Sequence, residues 1–553
     1  MIQKIIQNKY QILLFFGSLI VFSVGLGSVH LFDWDEINFA ESAREMLLTG
    51  DYLNVQINFE IFWEKPPFFI WLQALSMSVF GINEFAARFP NALAGAVTLV
   101  TLFNIGKALK NRLFGALWVI SYVGSLLPFL YFKSGIIDPW FNLFIFLGLY
   151  FFIKYQQTDS NIKNIIFSGF FIGMSMLTKG PVGLLIFLLS IGVFFALNHS
   201  NFKLKIRDIL MFSSVFIFIG GFWFILQIIN GNSQIIQDFI IYQIRLFKTK
   251  DAGHGGFLFY HFIILFFGVF PASVFALRSF IQFKETDEKT VIFTKWMKIL
   301  FWVVLILFTI VKTKIVHYSS LCYFPITYLA TDVIYKLYHR KIGFSKIYVY
   351  IIGSIGTFLG IIVLLLPTLE IFKKKIIASG LIKDAFATGN LQANVHWSPA
   401  VYAIGLFMIF GSLMSIKLIK QKDSKHRYTG IFFTTALFTY SALFFVVPKV
   451  EKYSQNAAIE FYQSHAGEDA YIETLGFKSY AHLYYFRKKA NMHVDKNEEW
   501  FGKGNIDKPV YFVCKNFRKK DYQKRYPELK ELYEKNGFVF FKRLPKKFRA
   551  NDK

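Results

Sequence analysis

The chain has 553 residues, of which 54% are hydrophobic and 19% aromatic, and it carries a formal net charge of +26. Apolar runs of about twenty residues recur along most of its length, which excludes an ordinary soluble enzyme and marks membrane spans. The positive charge would suggest nucleic acid as a partner of a soluble protein, but here it falls in short loops on one side of the spans, so the implied partner is anionic membrane lipid.

The first apolar run covers residues 11–29. Lys4 and Lys9 precede it, and Val29-His30-Leu31-Phe32 is a poor small-residue cleavage site, so it reads as an uncleaved anchor. Hydropathy predicts about thirteen spans, near 11–29, 88–107, 113–131, 138–154, 164–178, 182–197, 209–229, 257–279, 294–312, 317–336, 346–367, 398–418 and 429–447. With the N-terminus in the cytoplasm, every inner connection is basic: Lys110 and Arg112; Lys154 and Lys163; Lys203, Lys205 and Arg207; Lys284 to Lys298; Lys336 to Lys341; Lys417 to Arg427. The outer connections are then 30–87, 132–137, 179–181, 230–256, 313–316 and 368–397. An odd number of spans leaves the C-terminus outside.

The first outer loop, 30–87, has structure of its own. Ile37, Ala40, Ala43 and Leu47 share one face of a helix over 36–49, which Asp33 or Asp35 can cap and Gly50 can end; it is expected to lie along the membrane interface. Pro66 and Pro67 open a second apolar helix, 66–80, too short for an ordinary span. Residues 1–448 form the membrane domain, and 449–553 a small α/β domain on the outer face. Its strands are expected at 470–475, 509–514 and 538–542, with helices at 478–487 and 526–536. Cys322 and Cys514 lie in different domains, so no disulfide framework is expected.

Chemistry-bearing residues gather in the outer connections. Asp33-Trp34-Asp35-Glu36 sets three carboxylates where the first span meets water, an expensive placement near hydrocarbon. Asp35 can act as a general base or as a helix cap. In Glu64-Lys65-Pro66-Pro67 the Lys65 ammonium can hold a phosphate or simply snorkel. Residues 230–256 bring Arg245, able to clamp a phosphate, and His254 between glycines. Asp138, Lys179, Lys314, His317 and Tyr318 complete the outer set. Together they suggest a site for an anionic, lipid-linked substrate.

The run Asp35-Glu36, Phe39-Ala40-Glu41, Arg44-Glu45-Met46, Gly50-Asp51, Glu64-Lys65-Pro66-Pro67, Trp71, Phe80-Gly81 and Arg88 resembles the first outer loop of the aminoarabinose lipid A transferases, relatives of the dolichyl-phosphate-mannose protein mannosyltransferases. The likeness continues in Gly135-Ile136-Ile137-Asp138, Leu177-Thr178-Lys179-Gly180-Pro181, Arg245-Leu246-Phe247 with His254, Gly268-Val269-Phe270-Pro271, and Lys314 with His317-Tyr318. It implies a mainly α, polytopic GT-C-type fold with a site in an outer cavity of the cytoplasmic membrane. It implies a polyprenyl (undecaprenyl) phosphate sugar as donor, with no nucleotide cofactor, and lipid A, a protein or another glycan as acceptor. By the same resemblance Asp35 and Glu36 are the catalytic carboxylates, Lys65 and Arg245 hold the donor phosphate, and Glu64 and His254 are candidates to share a divalent cation. Phe39 stands where the lipid A transferases often have Tyr, and the segment after Asp51 lacks their usual Pro. A transporter or flippase of an anionic lipid is the alternative from another class.

Overall fold

The computed structural model of the protein describes residues 8–157, 161–198, 204–249, 255–281, 287–421, 427–494 and 496–546. Five of its helices are long and apolar enough to cross a membrane: Glu84–Leu109, Glu288–Ile310, Lys346–Ala378, Ala400–Lys420 and Gly430–Lys452. Two bent pairs, Ile206–Gly220 with Phe222–Ile229 and Tyr260–Gly268 with Ala272–Ser279, raise the number to seven. The shorter apolar helices Lys9–Ser23, Phe68–Phe80, Arg112–Val123 and Val182–Leu197 would bring the number to eleven at most among the described residues, short of the expected thirteen. Outward-facing side chains stay apolar, as lipid requires: Leu13 is 70% exposed, Phe218 72%, Ile310 72% and Phe410 69%.

Close helix approach depends on small residues, since lipid offers no hydrophobic drive between helices. Lys346–Ala378 presents Gly353, Gly356 and Gly360 to Ala400–Lys420; a Cβ on Gly356 would sit 2.0 Å from Ser412 Oγ, and one on Gly360 2.7 Å from the Gly405 carbonyl.

The first outer loop differs from its expected placement. The helix Asp35–Thr49 forms, but residues 36–46 are all buried, including Glu41, Arg44 and Glu45. It does not lie on the interface, because the C-terminal region covers its polar face. Ile37, Phe39, Ala40, Ala43 and Met46 share one apolar core with Phe69 and Met77 below and with Ile459, Tyr484, Phe486 and Phe540 above. Lys488 reaches down to Asn58 Oδ1 at 2.6 Å.

Three buried charges in that helix must satisfy one another. Arg44 makes a forked contact with Glu41, Nε to Oε2 at 2.7 Å and Nη2 to Oε1 at 2.6 Å. Glu45 accepts the backbone N–H groups of Asn58 (2.7 Å) and Phe59 (2.8 Å), at the turn between the two short paired strands Gln56–Ile57 and Glu60–Ile61. One arginine cannot neutralise both acids. Burial, then the neighbouring Glu41, hold the Glu45 carboxyl well above the usual carboxylate range. The native state therefore keeps a proton that the unfolded chain releases, and this contribution is lost as pH rises through the raised value. The thermal midpoint of the detergent-solubilised protein is expected to fall by a few degrees on the alkaline side, and Glu45→Gln should flatten that fall. An alkaline loss of equal size in the variant would assign it elsewhere.

The C-terminal sheet has Tyr471–Leu475 parallel to Val510–Lys515, then Phe538–Arg543 antiparallel, with Lys530–Lys535 at the edge. The helix expected at 526–536 is replaced by that edge strand. Its charged, largely exposed residues resemble a solvated helix. Asn536 and Gly537, with φ of 49° and 81°, instead make the two-residue turn of a hairpin. The observed α-helices around the sheet are Asn456–Ser464, Ala481–Phe486, Glu498–Lys503 and Lys519–Arg525. Cys322 and Cys514 are both free and buried.

Candidate active site

Asp35 is the first residue of its helix. The capping position belongs to Trp34, which makes no side-chain cap bond, so the carboxylate is not spent on a cap. It faces a polar cavity of about 280 Å³ lined also by Asp33, Trp34, Glu64, Lys65, Lys179 and His317. His317 Nε2 lies 3.2 Å from Asp35 Oδ2. His317 stands in the short 3-10 helix Val316–Cys322, outside the spans, and burial holds its imidazole below the ordinary value, with Lys179 and Lys65 acting the same way against the pull of Asp138 and Asp35. A neutral imidazole donates Nε2–H to the carboxylate and leaves the Asp35 charge in place.

Glu36, the other expected catalytic carboxylate, is placed differently. It is buried and accepts four hydrogen bonds: Arg88 Nε at 2.9 Å, Arg88 Nη2 at 2.8 Å, Phe32 N at 2.9 Å and Gly135 N at 2.5 Å. Burial pushes its carboxyl up, but Arg88 and the two backbone donors outweigh this and hold it below the usual range. Glu36 also lines the polar cavity, and its oxygens, committed in this way, fix the loop beside Asp35. Arg88 also donates to the carbonyls of Leu26 and Val29, both at 2.7 Å, and of His30 at 2.9 Å, tying the end of the first helix to its neighbour.

Lys65 makes no ion pair among the described residues; its Nζ sits 5.1 Å from the Tyr242 ring centre. Burial lowers its pKa, opposed by Glu64, Asp35 and Asp138 and reinforced by Lys179. An ammonium desolvated this way gains from an incoming anion. Arg245 lies 5.1 Å from the same Tyr242 ring, so the two expected phosphate ligands flank one aromatic side chain. Residues 233–248 are not the loop expected from sequence but the helix Ser233–Lys248, with Ile235, Phe239 and Tyr242 buried. Arg245 is exposed and does not line the cavity.

Asp138 opens the helix Asp138–Gln157 and pairs with Lys179 at 2.7 Å. Its second oxygen is buried without a partner. Lys179 ends the helix Ile162–Lys179, and Gly180, at φ +100°, turns the chain so closely under Phe239 that a Cβ there would lie 2.6 Å from the ring. Tyr318 faces Lys179 at 5.4 Å.

A second cavity, about 390 Å³ and mostly apolar, is lined by Val182, Leu185, Ile186, Ile244 and Phe308. It shares Lys65, Lys179 and Tyr318 with the polar cavity. The site is thus a polar chamber and an apolar groove that meet at two ammonium groups.

Besides Arg245, one expected residue stands outside this arrangement. Lys314 is turned away: its Nζ donates to the carbonyls of Phe308 (2.8 Å), Thr309 (2.6 Å) and Val311 (2.7 Å), closing the end of Glu288–Ile310. His254 lies outside the described residues. Among the described residues no three His, Cys, Asp or Glu side chains converge to hold a metal ion. Asp33 and Trp34, named from sequence only as part of the first acidic stretch, line the chamber too, and Tyr242 lines it without having been singled out.

A family model described as dolichyl-phosphate-mannose-protein mannosyltransferase matches residues 64–223. An uncharacterized protein of Aquifex aeolicus is 28% identical over 61% of this chain and 74% of its own length. The undecaprenyl phosphate-alpha-4-amino-4-deoxy-L-arabinose arabinosyl transferase of Wigglesworthia glossinidia brevipalpis is 28% identical over 60% of each chain, and that of Yersinia pestis 25% over 71% and 70%. The match thus spans three-fifths of the Wigglesworthia enzyme. The crystal structure of ArnT from Cupriavidus metallidurans, bound to undecaprenyl phosphate, superposes with a TM-score of 0.73 at 16% identity, covering 97% of this chain and 98% of that one. The fold is therefore GT-C-type over nearly the whole length.

Proposed function

We propose that this aminoarabinose-transferase-like membrane protein transfers one sugar from undecaprenyl phosphate to lipid A at the outer face of the bacterial cytoplasmic membrane. In this reading the N-terminus is cytoplasmic and the C-terminal domain extracytoplasmic. The observation that carries it is the junction of the two cavities at Lys65 and Lys179. An apolar groove ending at buried ammonium groups suits a lipid phosphate, and a polar chamber beyond them suits its sugar.

Asp35, oriented by neutral His317, takes the proton of an acceptor hydroxyl, or orients an acceptor oxygen that is already anionic. That oxygen forms the new bond to the anomeric carbon as the bond to the donor phosphate breaks, with inversion. Lys65 and Lys179, joined by Arg245 through the Tyr242 edge, receive the charge gathering on the departing polyprenyl phosphate. Glu36 and Arg88 are positioning residues. The relatives are transferases and the polar groups gather in one outer chamber, so the transporter reading is not carried forward.

The test uses purified protein in detergent, where transport has no meaning. With undecaprenyl phosphate-linked 4-amino-4-deoxy-L-arabinose and lipid A, the expected result is release of undecaprenyl phosphate and a lipid A heavier by one sugar. Absence of donor consumption with lipid A, protein and glycan acceptors alike would refute the proposal.

A further inference from the structure

Asp33 and Trp34, which line the chamber, carry on them a turn of the C-terminal region that the reaction described above does not use. The chain turns at 476–480, between the strand Tyr471–Leu475 and the helix Ala481–Phe486, directly over Asp33 and Trp34. The Tyr480 and Trp34 rings lie 5.2 Å apart. The Asp33 carboxyl meets the Ser479 hydroxyl and the Tyr480 backbone N–H. Lys478 Nζ stands 4.7 Å from the Trp34 ring centre and 5.5 Å from that of Tyr480.

The approach is pinned from behind. Gln455 donates to the Leu31 carbonyl at 2.8 Å, Leu31 N donates to the Tyr485 hydroxyl at 2.7 Å, and His30 pairs with Glu451 at 2.7 Å. A loop so anchored does not drift over the chamber; its side chains keep fixed places.

Lys478 has no carboxylate partner among the described residues, and its side chain is exposed. Its ammonium rests against the face of Trp34, the residue beside Asp35, which fixes its direction. Lys65 and Lys179, by contrast, border the apolar groove. The cations around the chamber therefore form two groups, one at the lipid groove and one on the C-terminal domain.

We propose that the turn 476–480 is the acceptor-side wall of the active site, with Lys478, seated on Trp34, receiving an anionic group of the acceptor while Lys65 and Lys179 hold the donor phosphate. This rests on the transfer reaction proposed above. Lys478 is a positioning residue: it makes no bond to the reacting atoms, and its contribution is to acceptor affinity and approach.

The experiment measures binding and turnover separately, on the full chain in detergent. Bis-phosphorylated lipid A and its dephosphorylated form serve as probes, without donor for binding and with undecaprenyl phosphate-linked 4-amino-4-deoxy-L-arabinose for turnover. Lys478→Ala is expected to weaken binding of the bis-phosphorylated probe about tenfold and to raise its KM similarly, the scale of one charge-assisted hydrogen bond. The KM for donor and the binding of the dephosphorylated probe should not move, and Lys478→Arg should restore most of the loss. Lipid A binding that is absent, or that ignores residue 478, overturns the inference, as does an equal rise in donor KM. If lipid A binds through Lys478 but no donor is consumed, the transfer reaction falls and the binding role stands.

Discussion

Asp35→Asn is expected to lower sugar transfer by about a hundred- to ten-thousand-fold, the range that a positioned base contributes. The substitution keeps size and removes the charge. Asp35 caps no helix, its side chain is 28% exposed, and its partner is the neutral His317 imidazole. Folding therefore asks little of it, and expression, membrane insertion and thermal midpoint should stay near those of the unaltered protein. The affinity for undecaprenyl phosphate should also hold, since Lys65 and Lys179 remain. Single-turnover rates with saturating donor and acceptor are the decisive measurement; a variant that transfers at full rate would move the base to another residue.

Arg88→Ala is expected to act on the fold, by about 3–5 kcal/mol, the usual cost of leaving one member of a buried pair without its partner. The lost guanidinium strands the Glu36 carboxylate and the carbonyls of Leu26, Val29 and His30 together. Little folded protein should survive extraction from the membrane. Glu36→Gln should be milder, because Arg88 keeps its backbone carbonyls and the one amide oxygen still accepts from either Phe32 or Gly135, which donate to different oxygens of the carboxylate. Replacing both residues by leucine should recover part of the Arg88→Ala loss, since an apolar pair leaves no uncompensated charge. Thermal unfolding in detergent checks the order. An Arg88→Ala protein as stable as Glu36→Gln would mean that the pair is not what holds the end of the first helix.

Asp35, Lys65, Lys179 and His317 were legible in the sequence because each combines a charge with an outer helix junction, and such placement is costly without cause. Glu36 lines the chamber beside Asp35, but spacing along the chain does not reveal that its oxygens are also taken by Arg88 and two backbone N–H groups. Lys314 carries the same outer-junction signature as Lys179, yet the last carbonyls of Glu288–Ile310 claim it. The placement of Asp35–Thr49 could not be read locally, because the cover for its polar face comes from the far end of the chain. The edge strand Lys530–Lys535 was misread from its charge pattern, although Asn536-Gly537 was the available hairpin signal. Tyr242, which draws Lys65 and Arg245 to one ring, had no signal beyond an aromatic residue in an amphipathic stretch.

The bond from Lys488 to Asn58 spans 430 positions of the chain. At roughly 5–20 residues per second, a ribosome needs tens of seconds to get from one to the other. Throughout that interval Glu41, Arg44 and Glu45 lack their C-terminal cover, and the apolar side chains that meet Ile459 and Phe486 stay uncovered. The last domain to emerge is the one that closes the first loop. On the reading proposed above, a half-made chain lacks the turn 476–480, which packs on Asp33 and Trp34, until its synthesis is nearly complete.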